Sequence, residues 1–92
     1  MDSTTLLESH KATIDRYLEH GVDPGSGIGA ILENDLGAVM RRVDNETLML
    51  MPELLRYLQS RGVPEAWGSA EKVREWKRLK RAHATAFEMG EG

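Results

Sequence analysis

The chain has 92 residues, 40% of them apolar, with a net charge of −3 and no cysteine. This length predicts one small domain that buries about 60–65% of the surface of its unfolded chain, so self-association into a homo-oligomer would add to its stability. The missing cysteines exclude disulfides, thiolate metal sites and cysteine nucleophiles, and the acidic balance argues against general binding of duplex DNA.

The chain starts "MDSTTLLESHK", with no basic region followed by an apolar stretch, and nowhere does an apolar run approach the roughly 20 residues that span a bilayer. The expectation is a soluble, unprocessed, cytoplasmic protein with no membrane partner. From Ser3 to His20 the residues Leu6, Leu7, Ile14, Tyr17 and Leu18 recur at helical spacings, and Gly21 supplies a stop just past the end. This is the first predicted helix.

The second follows "DPGSGIG". Pro24 suits a turn or a first helical position, and Ser26 is placed to accept a hydrogen bond as N-cap. Ala30, Ile31, Leu32, Leu36, Val39 and Met40 then make one apolar face of a helix that ends near Arg42. A third helix is capped by Asp44 or Asn45 and carries Leu48, Met51, Leu55 and Leu58 along one side. Pro52 interrupts it, which predicts a kink or two short helices meeting there. "SRGVPEAWGS" breaks the chain, Ser69 caps a last helix, and Val73, Trp76, Leu79, His83 and Phe87 form its apolar stripe. Nothing alternates with period two. The predicted fold is therefore all-α, a small bundle of four to five short helices forming a single domain over residues 1–92.

Chemistry has few candidates. The glycines Gly25, Gly27 and Gly29 fail the dinucleotide fingerprint at its third glycine, and no Gly-Lys-Ser/Thr follows to make a Walker A loop. Two readings stay open: a phosphate site where glycine lets a ligand approach the backbone, or a turn whose glycines let another helix pack closely. Asp23 and Glu33 oppose an anion unless they face away or read a ribose hydroxyl. Asn34 and Asp35 follow, the first suited to a base edge or a helix cap, the second to a base or a cation. The other acids are too scattered to complete a metal site.

His10, His20 and His83 show no metal spacing, and Ser26 has no nucleophile elbow around it, so neither an enzyme nor a cofactor is expected. "KVREWKRLKR" gathers Lys72, Arg74, Lys77, Arg78, Lys80 and Arg81. It is either a solvated outer face or a phosphate-binding helix with Trp76 stacked on a base. Trp67 either plugs the core or meets a ligand. Charge is also polarised: residues 1–53 hold ten acids against four bases, and residues 54–92 hold five acids against eight bases.

The order "HGVDPGSGIGAILENDLGAVMRRVDNETLMLMPELLRYL…PEAWGS…VREW" resembles a group of small proteins of tailed phages and prophages. They share Pro-Gly-Ser, an apolar pair, Ala-aliphatic-Leu, Asn-Asp-Leu, an Asn-led helix with Leu and Pro, Trp-Gly-Ser and a later Trp. Here the pattern falls on Pro24, Gly25, Ser26, Ala30, Leu32, Asn34, Asp35, Leu36, Asn45, Leu48, Pro52, Tyr57, Trp67, Gly68, Ser69 and Trp76. Two positions depart from it: Gly27 stands where the group carries a bulky apolar residue, and Ala66 where cysteine often precedes the tryptophan.

The resemblance implies a phage origin rather than a mechanism, and small helical phage proteins without catalytic groups often act on host defence. Combined with the residues above, the expected function is sequestration of a nucleotide immune signal without cleavage, with Gly25, Ser26, Gly27, Asn34, Asp35, Trp67, Arg74 and Arg78 as ligand-binding residues. The alternative is a small inhibitor or regulator that binds a host protein through a charged helix face or an exposed Met49 or Met51, although those methionines are expected in the core.

Overall fold

The spacing of Ile14, Tyr17 and Leu18 puts three side chains on one side of a helix, and in the computed structural model that side is buried. The structure describes the backbone of residues 3–91 and the side chains of 4–82. Among the described residues there are five α-helices and one 3₁₀ turn, with no strand: α1 (Ser3–His20), α2 (Ser26–Leu32), α3 (Leu36–Arg42), α4 (Asn45–Arg61), the turn Pro64–Ala66, and α5 (Ala70–Glu91). The domain is the predicted all-α bundle. His83 and Phe87, placed by sequence on the stripe of α5, have side chains outside the described residues.

Helix α1 packs along α4 on one side and α5 on the other, α2 packs on α3, and α2 also touches α5. The core is filled by Ile14, Tyr17 and Leu18 from α1, Ile28, Ile31 and Leu32 from α2, Val39 from α3, Leu54 and Leu58 from α4, and Val73 from α5. At its centre the buried Tyr17 hydroxyl donates to the carbonyl of Ala66 at 2.6 Å, tying α1 to the 3₁₀ turn. Trp76 Nε1 donates to the carbonyls of Tyr17 and Leu18 at 3.2 Å each, tying α5 to the end of α1, where the Gly21 amide also donates to the Tyr17 carbonyl at 2.8 Å. Gly21 makes this joint possible: its φ is +70°, and a Cβ there would lie 2.7 Å from Lys80 Cβ.

Caps act as the sequence predicts at two helices. Asp44 accepts from the Thr47 amide at 2.9 Å, and this bond holds its carboxyl below the usual carboxylate range. Ser69 Oγ accepts from the Lys72 amide at 3.1 Å. At α2 the expectation fails: the N-cap is Gly25, with φ 89° and no side-chain cap bond, and Ser26 is the first helical residue. Asp23 has already closed the turn, its Oδ1 accepting from the Gly25 amide at 3.0 Å.

The predicted second helix is two. Asn34 adopts φ 59°, a left-handed conformation that no helix continues through, and Asp35 then caps α3 by accepting from the Ala38 amide at 3.1 Å. This break turns Leu36 and Met40 outward, to 66% and 67% exposure, where one uninterrupted helix would have placed them on the buried face. By contrast α4 runs unbroken through Pro52. Buried or half-buried Thr47, Leu48 and Met51 before the proline, and Leu54, Leu55 and Leu58 after it, hold both halves against one core, offsetting the lost hydrogen bond.

Candidate functional site

Two glycines of the α2 segment have no packing reason to be glycine. A Cβ on Gly29 would meet only Pro24 Cγ at 4.0 Å, and one on Gly27 only Val43 Cγ2 at 3.6 Å and the Arg42 carbonyl at 3.9 Å, all ordinary contacts. Close helix packing therefore does not explain them, although glycine inside a helix costs about 0.5–1 kcal/mol against alanine. What they leave is open space. Gly25, Ser26 and Gly29 floor a cleft of about 250 Å³ whose walls include Asp23, Glu33, Arg42 and Lys77.

The two cations reach this cleft from different helices. Arg42 comes from the last turn of α3, which packs on α2, and Lys77 from the second turn of α5. Lys77 Nζ lies 3.7 Å from Asp23 Oδ1, while Arg42 has no ion pair among the described residues. With only seven residues, α2 has a small macrodipole, so attraction for an anion here has to come from these side chains rather than from the helix start.

Lys77 also belongs to a second surface. Because Val73 is buried, Arg74, Lys77, Arg78 and Arg81 stand at i, i+3, i+4 and i+7 on the outer side of α5 and line a shallow shelf of about 440 Å³. Arg78 is paired with Glu75 on the same helix, which lowers the Glu75 carboxyl from its ordinary range and raises the guanidinium. Arg74 forms no ion pair among the described residues. The glycine cleft and the arginine shelf thus share one lining residue, Lys77.

Of the residues picked out by sequence, Gly25 and Ser26 sit in this cleft and Arg74 and Arg78 on the adjoining shelf. The others lie elsewhere. Gly27 faces a separate polar groove of about 350 Å³, with Ser9, His10, Thr13, Asp44 and Thr47, where His10 Nε2 lies 3.0 Å from Thr47 Oγ1. Asn34 and Asp35 are exposed and shape the break between α2 and α3, so their roles are conformational and capping. Trp67 is half-buried against the core and borders a different cleft with Leu58, Gly62 and Pro64.

Stacking of a base on Trp76 is not what the structure builds. Its indole is half-buried with the N–H committed to α1, and Lys80 Nζ sits 4.9 Å from its ring centre. Arg42 was the residue that sequence reasoning missed. No local pattern links position 42 to positions 25 and 77; the packing of α2 against both α3 and α5 does. Among the described residues no three His, Asp or Glu side chains gather as a metal ion would need, and no helix is long and apolar enough to cross a membrane. No protein-family model, curated protein or solved structure matches this chain.

Proposed function

We propose that the protein binds a nucleotide-type anion and sequesters it without cleavage, as a phage-type anti-defence protein that withholds a nucleotide immune signal in the host cytoplasm. The observation that carries this reading is Lys77, which joins a glycine-floored cleft to a shelf of three arginines. Arginine forks suit phosphate, and glycines with free space above them let a ligand reach the backbone. Ser26 has no histidine in its cleft to activate it, which favours binding over catalysis. Duplex nucleic acid fits poorly, because the basic surface is one short shelf on an acidic protein.

The test is thermal shift against cyclic dinucleotides, cyclic trinucleotides and ADP-ribose derivatives. A ligand at 100 times its Kd adds about 2.7 kcal/mol to the folded state, which for a domain of this size raises Tm by roughly 10–20 °C. Arg74→Glu should abolish the shift while the far-UV spectrum stays native, since Arg74 is exposed. A shift that survives this change would reduce the basic helix to a solvated surface.

A second reading has its own support. Met49 is 82% exposed, which overturns its expected place in the core, and Leu36 and Met40 stand out from α3. Exposed methionines adapt to varied partners, so these side chains suit a host protein bound by an inhibitor or regulator. Under that reading the protein co-purifies with a host protein and loses it on Met40→Lys.

A further inference from the structure

We infer that the exposed face of α3 is a contact between two copies of this chain, in which the helix pairs antiparallel with itself about a two-fold axis, Leu36 of each copy against Met40 of the other. The contact is independent of the nucleotide reading above and uses no residue of the glycine cleft or the arginine shelf.

The left-handed turn at Asn34 sets the rotation of α3, which buries Ala38 and Val39. At 3.6 residues per turn the opposite side carries Leu36, Met40, Gly37 and Arg41 across an arc of about 140°. All four are exposed. Leu36 and Met40 form the apolar edge of this face, and Gly37 and Arg41 the other. Asp35 belongs to it too: its Oδ1 and the Nη1 of Arg41 lie 3.7 Å and 3.4 Å from the place a Gly37 Cβ would take. Neither charge forms an ion pair among the described residues.

An acid at the start, a base at the end and apolar residues between them make a pattern complementary to its own reverse. A two-fold axis therefore brings Leu36 to the partner's Met40 and Arg41 to the partner's Asp35, each pair occurring twice. A parallel pairing sets Asp35 against Asp35 and Arg41 against Arg41, which like charges disfavour. Gly37, opposite the partner's Arg41, has no side chain to hold the helices apart. Seven residues span only about 10 Å, so the contact falls short of the roughly 800 Å² per partner of a standard interface and is weak, with a micromolar Kd.

The experiment is disulfide trapping in the intact protein, which has no cysteine of its own. Leu36→Cys and Met40→Cys are purified separately, oxidised alone and as an equal mixture, and the crosslinked dimers are weighed by mass spectrometry. Glu53→Cys, exposed on α4, measures random collision. The expected result is a mixed 36–40 dimer well above the one-half share of random pairing, with little crosslinking of either variant alone. In this pairing the two copies of position 36 stand about 6 Å apart along the axis before the width between the helices is added, out of disulfide reach. Adding Arg41→Glu to both variants makes both ends of the face acidic, and the excess of mixed dimer should vanish. Predominant 36–36 and 40–40 dimers would overturn the antiparallel pairing. Crosslinking no faster than that of Glu53→Cys, or a strictly monomeric parent chain in sedimentation at the same concentration, would overturn the contact itself and leave the face to another protein.

Discussion

Tyr17 shows how one hydroxyl can order a small helical domain. The side chain is fully buried, and burial, with the charge of Glu33 second, pushes its phenol pKa well above the ordinary value, so it stays a neutral donor. Its partner, the carbonyl of the buried Ala66, has no water to replace it. Tyr17→Phe keeps the ring and leaves that acceptor unmet, which predicts a loss of about 1–3 kcal/mol and a Tm lower by at least about 4 °C in a thermal melt. Sequence alone placed Tyr17 on the buried face through its spacing from Ile14 and Leu18. It could not show the bond to a residue 49 positions away.

At the scale of elements, α2 is where stability and openness compete. Gly29 lies inside the helix with room for a methyl group, so Gly29→Ala should stabilise the fold by about 0.5–1 kcal/mol and raise Tm by roughly 2–8 °C. The same methyl is added at a residue that lines the cleft and should weaken nucleotide uptake. Higher Tm with undiminished uptake would mean that the ligand does not approach the backbone there. Local chemistry made the caps at Asp44 and Ser69 legible, because each is an i to i+3 contact. The Asn34 break was masked by apolar spacing that runs through "ILENDLGAVM", although Asn followed by Asp is also a left-handed turn leading into an N-cap. Pro52 does not divide α4 into two helices, since continuous burial on both sides of it offsets the local penalty.

Across the whole molecule, charge and apolar exposure offer two ways for copies to meet. The first 53 residues are acidic and the rest basic, while Leu36, Met40 and Met49 remain exposed on α3 and α4. Salt separates the two, because it screens charges beyond about 3 Å at 1 M against about 10 Å at 0.1 M, whereas apolar contacts persist. The proposed self-association is expected to run through the apolar side chains, so sedimentation should give the same oligomer at both salt concentrations and a monomer for Met40→Lys. A monomer at 1 M alone would transfer the contact to the oppositely charged halves.

By itself the sequence determined the helical class, the three inward residues of α1, two of the caps and the presence of a basic helix, all properties set by residues within a few positions of one another. It also marked Gly25 and Ser26. Only the tertiary structure decided which cations face that segment, that Asn34, Asp35 and both tryptophans do structural work away from it, and that Met49 is outside the core. The reason is physical: helix periodicity fixes which side of a helix is apolar, but Arg42 and Lys77 line one cleft with Gly29 because α3 and α5 both pack on α2, and those contacts join residues far apart in the chain.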